Sequence, residues 1–220
     1  MKAMILAAGR GERMRPLTDS TPKPLLRVNG KPLIEYHLER LKRAGYRQIV
    51  INTHHLGNQI QNHLGNGHRF GMEISYSPEA PEALETGGGI FQALPLLGEG
   101  PFLVINGDIW SECSLEPPDM PPDTLAHLIL VPNPPHNPNG DFGLHQRALT
   151  NTLQPGYTFS GIGWYQAALF VGCQPGKFPL APLLRKAIDK HRINGHLCTE
   201  TWMDIGTPQR LQQIATQLRA

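Results

Sequence analysis

The sequence predicts an α/β fold, a Rossmann-like mixed and mostly parallel sheet flanked by helices on both faces. Three observations predict it. Continuous apolar runs recur along the first half of the chain, the pattern of strands buried on both faces. Stretches of helical spacing, apolar on one side, separate those runs. The resulting strand–helix–strand passages follow one another directly, and right-handed crossovers turn such passages into a parallel sheet.

Taken in order, residues 4–8 (MILAA) are an apolar run that enters a glycine loop, as a central parallel strand does. Residues 32–44 read as an amphipathic helix. Leu33, Ile34, Tyr36, His37, Leu38 and Leu41 recur near helical spacing, and Glu35, Glu39, Arg40, Lys42 and Arg43 take the other side. Pro32 suits a first turn and Gly45 a stop. Residues 48–52 (QIVIN) are the next buried strand, and 56–64 a second helix closed by Gly65. Residues 72–76 form a short alternating strand, and 87–97 a third helix that starts in a glycine cluster. Residues 102–106 (FLVIN) are another buried strand, ending at Gly107 and Asp108.

The second half is less regular. Proline clusters at 117–122 and 132–138 flank one clear strand, 125–131. Each cluster is short, so it predicts a stiff, extended loop. Residues 159–165 read as a strand, and 180–190 and 208–218 as helices, the last packing as a C-terminal cap. With no repeat and no clean linker, one domain over residues 1–220 is the simplest account.

A chain of 220 residues, 40% of them hydrophobic, can bury a core without disulfides or structural metals. Its 20 basic and 18 acidic residues leave a net charge of +2, too little to argue for nucleic acid or a membrane surface as partner. Cys113, Cys173 and Cys198 are scattered and form no CxxC, which predicts reduced thiols in a cytoplasmic protein. The first apolar run is too short for a signal peptide or a membrane span. His54, His55, His63 and His68 show no metal-ligand spacing and read as surface or core histidines.

The densest chemistry lies in residues 7–23. A buried strand runs into Gly9-Arg10-Gly11, and Arg10, Arg13 and Arg15 follow closely on one another. Glycines let backbone N–H groups approach a ligand, and arginines supply forked donors for phosphate oxygens. Neither GxxxxGK[ST] nor the third glycine of a dinucleotide fingerprint is present, since Met14 stands in that place. Pro22 and Pro24 bracket Lys23, which predicts a lysine held on a stiff, extended segment. Asp108 ends a parallel strand, where such folds bind ligands. Asp204 sits in a late Trp-Met-Asp-Ile-Gly-Thr run. The two acids could converge on one Mg²⁺, which takes a few carboxylates plus phosphate oxygens. Asp108 could instead be a turn residue, and Asp204 a helix N-cap or turn before Pro208.

The run GxGxRxRPLT, followed by PKPL and Gly30-Lys31-Pro32, resembles the signature of the sugar-1-phosphate nucleotidyltransferases, over essentially the whole chain. The resemblance implies the nucleotidyltransferase A-type fold, here without a C-terminal β-helix. It implies a nucleotide-binding half over about 1–110 and a sugar-binding half, with the C-terminal helix, over about 111–220. It also implies that the loop, through Ala8, Gly9, Gly11 and Glu12, binds a triphosphate. Arg13 and Lys23 would stabilise the transferring phosphate and the leaving pyrophosphate, and Asp108 and Asp204 would hold Mg²⁺. Thr86, Gly87 and Gly88 would lie against the base, and Asn106 could reach the ribose or phosphates. Glu85 could cap a helix or bind the base.

The wording LETGGG at 84–89, with EYHLERL, RFGMEISYSPE, GIFQALPLLG and FSGIG, is most similar to the short bacterial N-acetylmuramate 1-phosphate uridylyltransferases of peptidoglycan recycling. The implied partners are UTP and a sugar 1-phosphate, with the chain a monomer. A mannose- or glucose-1-phosphate enzyme using GTP or another triphosphate stands as the alternative, and a non-catalytic nucleotide sensor as a third reading. On the acceptor side, Asp141 could accept sugar hydroxyls or make a simple Asx-turn. Ser160 and Gly161 could let the sugar approach the backbone. Many family members carry a Glu-Lys pair that binds the sugar phosphate. Between Gly143 and Gly161 this chain has no lysine, only His145 and Arg147.

Overall fold

The computed structural model describes residues 1–218, so the last two residues of the expected 1–220 unit lie outside the described residues. The chain runs β1 (Lys2–Leu6), β2 (Arg27–Val28), β3 (Lys31–Pro32), α1 (Leu33–Arg43), β4 (Gln48–Thr53), α2 (Gly57–Leu64), β5 (Glu73–Pro78), α3 (Glu85–Leu97), β6 (Phe102–Asn106) and β7 (Ile109–Ser111). It continues through β8 (Ala126–Val131), β9 (Phe142–His145), β10 (Ala148–Thr150), β11 (Gly156–Tyr165), α4 (Ala181–Ile188), β12 (Ile193–Leu197), β13 (Trp202–Asp204) and α5 (Pro208–Gln217).

Nine strands form one sheet in the order β5-β4-β1-β6-β11-β8-β12-β10-β9. β5, β4, β1 and β6 are mutually parallel. β11 enters antiparallel between β6 and β8, and β12 returns parallel to β8. The result is the mixed sheet that the run pattern predicts.

The continuous runs have a direct cause. Ile5, Ile49, Ile51 and Ile105 point to one face, under Ile34, Leu38 and Leu41 of α1 and Ile60 and Leu64 of α2. Their neighbours Met4, Val50 and Val104 point to the other, under Ile90, Ala93 and Leu97 of α3. α4 closes the same face with Leu184, Ala187 and Ile188. Each fully buried side chain of this size contributes about 1.5–3 kcal/mol, so alternate positions cannot be polar. A third, smaller core joins Met14, Leu26, Val28 and Leu33 to Ile205 and to Ile214 of α5.

Several local expectations are corrected. Lys23 is not on an extended segment; it opens a 3₁₀ turn, Lys23–Leu25, with Leu25 N–H donating to Pro22 O at 2.8 Å. α3 begins at Glu85, before the glycine cluster, so the glycines lie inside the helix. β7, β9, β10, β12 and β13 are absent from the sequence reading. They are three to five residues long and owe their form to a partner strand, not to a pattern of their own.

The cysteine expectation fails as well. Cys113 and Cys198 are disulfide-bonded, with Cα atoms 6.0 Å apart, and Cys173 alone is free. The loop after β7 and the end of β12 meet on one face of the sheet, a proximity that spacing along the chain does not reveal. Among the described residues, no helix is long and apolar enough to cross a membrane.

Candidate active site

The C-terminal ends of β1, β4 and β6 lie side by side, with Leu6 level with Asn52 and Asn106. A cavity of about 380 Å³ opens there, lined by residues 6–9 and 11–13, Lys23, Asn52, Glu79, Glu85, Thr86, residues 106–108 and Gly206. This is the edge at which open α/β sheets bind ligands.

The glycine loop wraps the stem of Lys23. Gly11 sits at φ +69°, and a Cβ there would come within 3.0 Å of Thr18 Cγ2 and 3.4 Å of Lys23 Cβ. Thr18 is buried and its hydroxyl donates to Gly11 O at 2.9 Å. Met14 anchors the loop in the small third core. Of the three arginines expected to cradle phosphate, only Arg13 lines the cavity. Arg10 pairs with Glu12, and Arg15 with Glu12 and Asp19, on the exposed outside of the loop.

Lys23 is buried and its Nζ lies 2.7 Å from Asp108 Oδ2. Asp204 is also paired. Arg210 Nη1 makes a close contact with both of its carboxylate oxygens, and His136 Nε2 lies 3.1 Å from Oδ1. The two acids come from one ribbon. β7 and β13 pair antiparallel with Asp204 opposite Ile109, and Ile205 N–H donates to Asp108 O at 2.6 Å. A Cβ added at Gly206 would come within 2.9 Å of Arg13 Nη2 and 3.1 Å of Asp204 Oδ2. Arg13 and Asp204 therefore flank Gly206 from the same side.

A buried polar chain on the opposite wall went unread. Asn52 Oδ1 accepts from Ala7 N–H at 2.7 Å, and Asn52 Nδ2 donates to Glu79 Oε1 at 2.7 Å. Glu79 Oε2 accepts from Leu84 N–H at 2.7 Å. Glu79 is 4% exposed and Asn52 3%. One carboxylate thus ties the start of the glycine loop to the start of α3. The asparagine ending the QIVIN run was the available signal, since a lone amide closing a buried strand needs a partner.

Thr86 and Asn106 line the cavity; Gly87 and Gly88 do not. They are buried behind it, where α3 meets the 176–178 segment. Gly88 N–H donates to Phe178 O at 3.0 Å, and a Cβ on Gly88 would lie 2.2 Å from Gly176 O. Glu85 lines the cavity from the first turn of α3. His37 is buried under Gly107. Burial, then the Arg40 charge, pushes its pKa down to about 4.

The acceptor-side residues are arranged differently from their expected roles. Asp141 Oδ2 accepts from Phe159 N–H at 2.8 Å and Oδ1 from Asn137 Nδ2 at 3.2 Å, so this carboxylate ties the proline-rich loop to β11. Ser160 is fully buried, its Oγ accepting from Ile162 N–H at 3.2 Å. Gly161, at φ +79°, lies in an irregularity of β11 and backs Asn106; a Cβ there would fall 2.6 Å from Asn106 Nδ2.

Known proteins resemble this chain in sequence and in fold. The family model described as "Nucleotidyl transferase" matches residues 2–122. An N-acetylmuramate alpha-1-phosphate uridylyltransferase of Neisseria meningitidis serogroup B is 52% identical over 97% of this chain and 96% of its own. One from Caulobacter vibrioides is 35% identical over 94% and 92%. A UTP–glucose-1-phosphate uridylyltransferase of Synechocystis is 40% identical, over 49% of this chain and 30% of its own. In fold, the chain superposes with a TM-score of 0.86 on a crystal structure described as a glucose-1-phosphate thymidylyltransferase from Bacillus anthracis, at 22% identity over 100% of this chain and 95% of that one.

Proposed function

The chain belongs to the nucleotidyl transferase family, and we propose that it transfers UMP from UTP to N-acetylmuramate α-1-phosphate, giving the UDP-sugar and pyrophosphate. One observation carries the choice of sugar. The likeness to the two muramate enzymes runs over at least 94% of this chain, whereas that to the glucose enzyme stops at 49%. The acceptor side of such enzymes is where sugars are told apart, so identity that persists through it supports the same acceptor.

In the reaction, an oxygen of the sugar 1-phosphate bonds to the α-phosphorus of UTP. The bond from that phosphorus to the α,β-bridging oxygen breaks, and pyrophosphate leaves. The attacking phosphate is already ionised, so no protein base is needed; positioning and electrostatics carry the rate. The backbone of Ala8, Gly9 and Gly11, with Glu12 at the rim, wraps the triphosphate. Arg13 and Lys23 neutralise the charge growing on pyrophosphate. Thr86 and Asn106 face the base and ribose, while Gly87 and Gly88 shape the helix that carries Thr86.

The residues fit a divalent cation. Asp108 and Asp204 rise from one ribbon, and each carries a protein cation at the oxygens a metal would take. Mg²⁺, when held there, would neutralise the oxygens of the reacting phosphate. A matrix of UTP, CTP, dTTP and GTP against muramate, glucosamine, glucose and mannose 1-phosphates, read by pyrophosphate release, tests the whole reading. UTP with the N-acetylmuramate sugar should be turned over fastest. Turnover confined to GTP with mannose 1-phosphate would overturn it.

A further inference from the structure

The geometry points to Arg210 as the residue that binds the phosphate of the incoming sugar, the role left open by the missing Glu-Lys pair. This rests on the proposed transfer to a sugar 1-phosphate. Transfer is in line, so the acceptor phosphate must approach the α-phosphorus on the side away from pyrophosphate. Arg13 and Lys23, which line the triphosphate cavity, are the cations of the pyrophosphate side. Asp204 shares one side of Gly206 with Arg13, and it is gripped by Arg210 and His136, which do not line that cavity. A cation that lines the cavity and two that do not thus meet around this carboxylate, and the acceptor phosphate takes the side of the latter.

The electrostatics of α5 does not favour Arg210 where it stands. It stands in the first turn of α5, where the helix dipole disfavours positive charge. Its backbone is fixed there by the cap, Arg210 N–H donating to Thr207 Oγ1 at 3.4 Å. Both oxygens of Asp204 now lie against one guanidinium nitrogen. A cation taking those oxygens must displace Arg210. Only the side chain can move, and the freed donors remain within reach of an anion beside Asp204. A guanidinium suits a phosphate, which it can bind with two parallel N–H donors.

The test uses Arg210→Gln and Arg210→Lys in the full chain. Arg210→Gln should raise KM for N-acetylmuramate 1-phosphate at least about tenfold, the scale of one lost charged hydrogen bond, with KM for UTP within about twofold. Arg210→Lys should recover part of that loss. Binding is read separately by calorimetry. Enzyme loaded with Mg²⁺ and an α,β-methylene analogue of UTP should bind the sugar phosphate at least about tenfold more weakly in the glutamine variant. Its affinity for the analogue itself should be unchanged or tighter. An unchanged affinity for the sugar phosphate, with only the Mg²⁺ requirement altered, would reduce Arg210 to a counter-ion of Asp204 and overturn the inference. So would loss of analogue binding in both variants, which would mean that Arg210 holds Asp204 in place. If the native enzyme binds the sugar phosphate in this Arg210-dependent way yet forms no product, the transfer reading fails and the site does not.

Discussion

Lys23 and Asp108 illustrate how a single contact reports on chemistry. Lys23 is 8% exposed, and its ammonium is balanced by the Asp108 carboxylate at 2.7 Å. The Asp108 side chain is 39% exposed, so solvent screens the pair and its contribution to stability is about 1 kcal/mol. Under the proposed transfer its contribution to catalysis is far larger, because a preorganised charge at the reacting phosphate is not replaced by water. Asp108→Asn should cut kcat about 100-fold or more while shifting the urea midpoint little. Near-native turnover of that variant at saturating Mg²⁺ would sink the assignment. Gly161 makes the complementary case, a residue that acts by lacking a side chain. Its φ of +79° and the 2.6 Å approach of Asn106 Nδ2 to its Cβ position leave no room for alanine. Gly161→Ala should lose about 1–2 kcal/mol, from the left-handed backbone alone. By displacing Asn106, it should also raise KM for UTP more than KM for the sugar phosphate. Equal effects on both would mean that Asn106 does not serve the nucleotide.

At the scale of elements, the β7–β13 ribbon is the unit that matters. It brings Asp108 and Asp204 together at one end, and the Cys113–Cys198 disulfide closes its other end across 85 residues of chain. A crosslink over so long a loop restricts the unfolded chain by about 4.6 kcal/mol in the chain-entropy account. Cys113→Ser should therefore lower the unfolding free energy by about 2–4 kcal/mol. A reducing agent should lower it equally in the native chain and not at all in the variant. Cys173→Ser should change neither. A native chain indifferent to reductant would show that the crosslink carries no stability. The ribbon is also where the sequence was least legible. MILAA, QIVIN and FLVIN announce strands because two apolar faces leave no polar position. IWS and WMD, three residues each, announce nothing until they pair. Arg13, Lys23 and Asp108, which the fold brings to one cavity, stand out in the sequence because phosphate chemistry needs glycines and cations close in sequence or at strand ends. Arg210 and His136 look like solvated charges on a helix and a proline loop, and only the tertiary meeting at Asp204 gives them meaning. Gly87 and Gly88 were misleading for a related reason. A glycine required by helix packing is indistinguishable, in sequence, from one required by a ligand.

For the molecule as a whole, burying the continuous sheet also buries imidazoles, and that ties stability to pH. His127 of β8 is 1% exposed, with Nε2 2.8 Å from His196 Nδ1. Burial, then the neighbouring His196 and Arg147, pushes its pKa down to about 4, and burial lowers that of His196 as well. His37 of α1, packed on the same side of the sheet, is also pushed down to about 4. The direction of the linkage follows. Between pH 4 and the unfolded value of about 6.5, the unfolded chain binds protons that the native chain refuses. Stability is thus complete above about pH 6.5 and is lost as pH falls toward 4, with a slope of about 1.4 kcal/mol per pH unit for each such histidine. The loss begins well above the ordinary carboxylate range. His127→Gln stays neutral throughout and keeps a donor for His196. Urea midpoints measured from pH 7.5 to 5 should fall more gently in that variant than in the native chain. Parallel curves would show that His127 is protonated in the folded state, with the sheet able to accommodate the charge.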